Sequence, residues 1–142
     1  MNRQTDRKSL ANLLQEVFEK SEEVQFAYLY GSVATKTQTR ASDIDVAVYL
    51  WPAPTSDFIR IEEELAVSLM IKLHHSRVDL RVLNTLPFPL QYRVLKDGVL
   101  VFSRNESERV NFETQVMIRF FELKPHLEEY RRMLSSKIRG SL

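Results

Sequence analysis

Two aspartates one residue apart, Asp43 and Asp45, follow a Gly31-Ser32 pair after ten intervening residues. Side chains of an extended chain alternate between faces, so both carboxylates fall on the same side. Their like charges repel, and neither turns inward without a cation, so the arrangement is that of a divalent-metal site. An all-oxygen donor set favours Mg²⁺ or Mn²⁺ over zinc. Gly31 lets backbone N–H groups come close to a phosphate, and the Ser32 hydroxyl donates a hydrogen bond to it. A third carboxylate, Asp79, stands in Arg77-Val-Asp-Leu-Arg81 and joins the pair if that segment lies beside it in a sheet. Three carboxylates suit a two-metal phosphoryl or nucleotidyl transfer, with one ion on the triphosphate and the other on the attacking hydroxyl. Asp79 then either ligates the second ion or acts as the base. Each residue also has a plainer role: Asp-x-Asp as surface charge, Ser32 as cap of a short helix from Val33, and Asp79 as ion-pair partner of Arg77 or Arg81.

The elements that must hold these residues are legible in the periodicity. Leu10, Leu13, Leu14, Val17 and Phe18 recur at helical spacing behind Asp6 or Ser9 as N-cap. Val24 to Tyr30 reads as a strand that stops at Gly31. Asp43 to Leu50 reads as a second, with Ile44, Val46, Val48 and Leu50 alternating against Asp43, Asp45, Ala47 and Tyr49. Trp51 to Ser56 is a turn leading into a helix whose inner face is Phe58, Ile61, Leu65, Leu69 and Leu73 and which ends near His74. Val78 to Leu83 is a third strand, Pro87 to Lys96 a short helix stopped at Gly98, and Val99 to Phe102 a fourth strand. Residues 106 to 138 are helical, with Pro125 marking a kink or a break between two helices. This order predicts an α/β or α+β fold, a small mixed sheet of about four strands flanked by helices.

The chain has 142 residues, which fits one domain spanning 1–142 with a helical tail from about 106 to 138. It contains no cysteine, so a thiolate nucleophile, a disulfide framework and a Cys-ligated zinc are excluded. Its 44% apolar and 27% charged residues are ordinary for a globular protein, and no apolar run approaches a membrane span. The N-terminus carries charge without an apolar stretch behind it, so a cytoplasmic location is expected. With 20 Lys and Arg against 19 Asp and Glu, no global field attracts a nucleic acid. The tail from Lys124 onward is locally basic, which is either a solvated helix end or a docking surface. His74-His75 reads as a helix C-terminus, since adjacent helical residues do not chelate together.

Gly-Ser, ten residues, then Asp-x-Asp resembles the signature of the DNA polymerase β nucleotidyltransferase superfamily, and more narrowly of its minimal nucleotidyltransferase (MNT) group. Asp79 in Arg77-Val-Asp-Leu-Arg81 matches the group's third Asp. Leu95-Lys-Asp-Gly-Val-Leu-Val-Phe102 and Phe121-Glu-Leu-Lys-Pro-His-Leu-Glu-Glu-Tyr130 look like the tail of MNT antitoxins. The resemblance implies a polymerase β palm-like fold in which Asp43, Asp45 and Asp79 hold two Mg²⁺ or Mn²⁺ ions. It implies a nucleotide held by Gly31, Ser32, Lys36 and Ser42. Lys36 stands where the group commonly has a second Gly, and either contacts a phosphate or sits in solvent. The implied reaction is transfer of AMP from ATP to a hydroxyl. The implied partner is a HEPN ribonuclease toxin, bound in a hetero-oligomer and neutralised by modification of a Tyr. Alternatives are a binding-only antitoxin and transfer to a small hydroxyl compound such as an antibiotic. Arg119 and His126 share a spacing with HEPN nucleases, but a chain with strands is not an all-helical HEPN domain.

Overall fold

The computed structural model describes residues 3–31 and 43–140. The elements are α1 (Arg3–Glu19), β1 (Val24–Tyr30), β2 (Ile44–Leu50), α2 (Phe58–Leu73), β3 (Val78–Val82), α3 (Phe88–Asp97), β4 (Val99–Ser103) and α4 (Glu106–Gly140). The four strands form one mixed sheet in the order β3-β2-β1-β4. β1 runs antiparallel to both neighbours, and β2 and β3 are parallel through the α2 crossover.

Strand alternation divides the core in two. Ile44, Val46, Val48 and Leu50 point to one face and join Leu14 and Phe18 of α1 and Ile61, Leu65 and Leu69 of α2. Ala47 points to the other, where it packs with Phe26, Tyr28, Leu83 and Val94 and against Tyr49 and Phe112. The Phe26 and Tyr49 rings stack at 4.7 Å, which fixes β1 and β2 relative to α4. Asp45 shares this second face, so it belongs to the side covered by α3 and α4.

Side chains lock the element ends that matter for the site. Asn84 pairs with both backbone groups of Leu50, accepting from its N–H and donating to its C=O at 2.9 Å each, which ties the end of β3 to β2. The Arg104 guanidinium donates to the Phe18, Glu19 and Ser21 carbonyls at the end of α1. Asn105 caps α4 by accepting from the Glu108 N–H. The Tyr28 hydroxyl donates to Glu113, which also pairs with Arg109, and this fastens α4 to β1.

Three sequence expectations need correction. Helix α1 begins at Arg3, so Asp6 and Ser9 lie inside it rather than capping it; the intervening Arg, Gln and Lys residues are good helix formers. β2 begins at Ile44, whose N–H bonds to the Arg77 carbonyl, so Asp43 sits one residue before the strand. α4 is one helix of 35 residues with Pro125 inside it, not two helices. Its Glu, Leu, Lys and Arg content outweighs one missing N–H. His74 does end α2, in the left-handed conformation. Among the described residues no helix is long and apolar enough to cross a membrane.

Candidate active site

The parallel register of β2 and β3 sets Asp45 directly across from Asp79. The condition posed by the sequence, that the third carboxylate should arrive on the adjacent strand and the same face, is met for this pair. Both line a cleft of about 250 Å³ together with Tyr30, Arg81, Leu86, Leu90, Arg93 and Val94. Val94 is the buried anchor of α3, and Leu90 and Arg93 precede it at the spacing that puts all three on one helix face. The cleft therefore has an acidic floor, an apolar wall and two guanidinium groups at its sides.

Asp45 is half-buried, and its pKa is raised above the ordinary carboxylate value. Burial is the main cause; the Asp79 and Asp43 carboxylates push the same way, and Arg81 opposes them. Asp79 pairs with Arg81 at 3.4 Å, between side chains about half exposed. The ion pair anticipated as the plain reading of Asp79 is present, and it coexists with the carboxylate pairing. Tyr30 lies across β1 from Asp45, and its hydroxyl is pushed up to about 12 by burial and then by Asp79 and Asp45.

Gly31 has a more specific role than flexibility. Its φ is +73°, and a Cβ built there would stand 2.2 Å from Asp45 Oδ2. The carboxylate thus occupies the space a side chain would need, so glycine is required both by the backbone and by the acid beside it.

Asp43 is exposed at the lip and does not line the cleft, although its charge reaches Asp45. Among the described residues no three Asp, Glu, His or Cys side chains converge closely enough to form a ready cation cage. The donor chemistry still fits a hard divalent cation. Two carboxylates face each other across β2 and β3 with the Arg81 guanidinium beside Asp79, and a cation bound there would offset the repulsion that Asp79 and Asp43 exert on the half-buried Asp45. Ser32, Lys36 and Ser42, and the short helix from Val33, lie outside the described residues.

Sequence reasoning missed Arg93, Leu86 and Leu90, because the apolar spacing of α3 announces a core face and not what its rim borders. A larger groove of about 450 Å³ lies between α1 and α2 on the opposite face. Two of its ion pairs are Lys72 with Glu16 at 2.7 Å and Arg60 with Glu64 at 3.3 Å, and no two carboxylates face each other across paired strands there as Asp45 and Asp79 do.

A family model described as polymerase beta, nucleotidyltransferase matches residues 12–107. No curated protein sequence matches the chain. Among solved structures, a chain of a toxin–antitoxin crystal structure with AMP-PNP is 24% identical, with a TM-score of 0.67 over 91% of this chain and 98% of that one. A chain in a complex of tri-AMPylated HEPN toxin with MNT antitoxin from Shewanella oneidensis is 21% identical, with a TM-score of 0.58 over 97% and 99%. A mutant toxin–antitoxin complex contains a chain 22% identical, with a TM-score of 0.60 over 98% and 99%. At these identities the likeness is one of fold.

Proposed function

Because the chain belongs to the polymerase beta nucleotidyltransferase family, we propose that it transfers AMP from ATP to a tyrosine hydroxyl of a HEPN ribonuclease toxin and so acts as that toxin's antitoxin. The observation that carries this reading is the facing of Asp45 and Asp79 across β2 and β3, beside a glycine that leaves room for the acid. The chain shares its fold with toxin–antitoxin complexes solved with AMP-PNP or with an AMPylated toxin, which favours this acceptor over others.

Asp45 and Asp79, with Asp43 turned in from the lip, are the residues that would hold two Mg²⁺ or Mn²⁺ ions. When bound, such ions neutralise the triphosphate and lower the pKa of the attacking hydroxyl. Gly31 and the Ser32, Lys36 and Ser42 side chains hold the phosphates in this reading. The acceptor oxygen forms a bond to the α-phosphorus as the bond to the β-phosphate oxygen breaks and pyrophosphate leaves. The hydroxyl proton passes to a carboxylate, for which Asp79, half-exposed and lining the cleft, is the nearest candidate. Arg81 and Arg93 flank the path of the anionic groups and orient them.

A purified mixture of this chain, Mg²⁺, the partner toxin and ATP labelled on the α or the γ phosphate tests the reading. Transfer of α label, with an AMP mass increment on the toxin that Asp45→Asn abolishes, is expected. Transfer of γ label alone would mean a kinase and overturn it. The outward-facing Asp43 and the Asp79–Arg81 pair favour one second reading, an antitoxin that blocks its toxin by binding alone. Toxin neutralised by the Asp45→Asn variant without label transfer would establish that reading instead.

A further inference from the structure

α4 carries one apolar stripe along its length, and the domain covers only its first part. Val116 is buried, and Phe120 stacks on Tyr92 of α3 at 3.9 Å. The stripe then continues through Leu123, Leu127, Tyr130 and Leu134 at alternating spacings of three and four residues, where every side chain is exposed. Leu127, Tyr130 and Leu134 are 47%, 59% and 41% exposed. A 3.5-residue period is that of a helix that packs along a second helix. At about 1.5 Å per residue, the exposed part from Phe121 to Lys137 is about 25 Å long.

The charged positions flanking this seam are basic, and Met133 takes the flank before Leu134. Arg119 and His126 precede the stripe residues Phe120 and Leu127, and Lys124 and Arg131 follow Leu123 and Tyr130. The acidic residues of the same stretch, Glu122, Glu128 and Glu129, lie on the remaining face. A second copy of this chain laid along the seam would oppose Arg119 to Lys124 in a parallel pair, or Lys124 to Arg131 in an antiparallel one. Like charges face each other either way, so self-pairing is disfavoured. Acidic flanks on another helix would instead complete the pattern.

We propose that the exposed seam of α4, Leu123 to Leu134 with Lys124 and Arg131 along one edge, docks an amphipathic helix of a partner protein whose apolar face is bordered by Asp or Glu. α3 already seats a helix on the start of this stripe, and the partner helix extends that packing outward. The proposal rests on α4 alone and not on the transfer reaction, so either can fail without the other.

The test uses the full chain and two fluorescent 21-residue helical peptides with Leu at the seam positions, one flanked by Glu and one by Lys, followed by anisotropy. The Glu-flanked peptide is expected to bind at least about tenfold more tightly at low salt and to weaken as salt rises. Leu127→Asp with Leu134→Asp, exposed positions outside the core, should abolish binding while circular dichroism and the melting temperature stay as in the parent. Lys124→Glu with Arg131→Glu should reverse the peptide preference. Equal binding of the two peptides, or none, overturns the proposal. So does concentration-dependent self-association of the chain that the Leu variants abolish, which would assign the seam to a second copy.

Discussion

Gly31→Ala separates the two reasons why glycine stands beside the acidic pair. At φ +73° an L-residue costs about 1–2 kcal/mol. The added Cβ also meets Asp45 Oδ2 at 2.2 Å. The carboxylate can yield, since it ends a rotatable side chain, but it must retreat by at least about 1.2 Å to reach ordinary contact. Stability should therefore fall by little more than the backbone cost, lowering the melting temperature by roughly 3–8 °C. Activity should fall much further. Displacing a group in the reacting constellation by about 1 Å costs on the order of 100-fold, so label transfer from ATP should drop about that much at saturating nucleotide. A double-mutant cycle isolates the contact, because in an Asp45→Ala background the clash is absent and only the backbone cost remains. Thermal melts and single-turnover label transfer on the four proteins provide the comparison. An alanine variant that melts like the parent and transfers label within threefold of it would refute the reasoning about Gly31 and Asp45 together.

Asp45→Asn should behave oppositely in stability and in activity. The folded carboxyl keeps its proton to higher pH than the unfolded one, so the cation-free parent loses stability as pH rises from about 3.9 through the raised folded value. The variant lacks that loss and should melt no lower than the parent at neutral pH. Added Mn²⁺ should raise the melting temperature of the parent only, as measured by scanning fluorimetry across pH. Asn84→Ala leaves the Leu50 N–H and C=O without their partner and should cost about 2 kcal/mol in urea unfolding, with no direct effect on the cleft chemistry. Pro125→Ala should stabilise α4 locally by up to about 3 kcal/mol, seen as slower hydrogen exchange near residues 121–129. The melting temperature should hardly change, because the helix there touches no core.

What the sequence exposes about this protein follows from period. Alternation in Ile44–Leu50 separates the aliphatic face from the face of Asp45, Ala47 and Tyr49, and both faces are found where that alternation puts them. The acidic pairing was legible only conditionally. Asp79 faces away from Val78 and Leu80 in any strand, but its register with Asp45 depends on β3 lying parallel to β2, which the α2 crossover and the Asn84 clamp decide. Nothing local marks that pairing in advance. Asp43 shows the limit in the other direction. Its spacing from Asp45 suggests equal membership, but pairing starts at Ile44, so the residue before it is free of the pleat that orients Asp45. Of the two outcomes open at Pro125, the break does not occur for a related reason: a missing N–H is a local defect, and a long run of helix formers on either side absorbs it.

The two faces of the sheet divide the work between stability and chemistry. The α1–α2 side holds the larger aliphatic cluster, bordered by the Lys72–Glu16 and Arg60–Glu64 pairs. The α3–α4 side has a smaller core rich in aromatic rings, and at its edge the same strands present Asp45 and Asp79 side by side, flanked by Arg81 and Arg93. Such an edge is held in place by the opposite face, because sliding β2 past β3 by one residue would turn Val46 and Val48 out of the aliphatic core along with moving the acids. The register that buries those valines is the register that sets the carboxylates together. A sequence change that loosens the aliphatic side therefore also disperses the acidic pair, even where it touches neither aspartate.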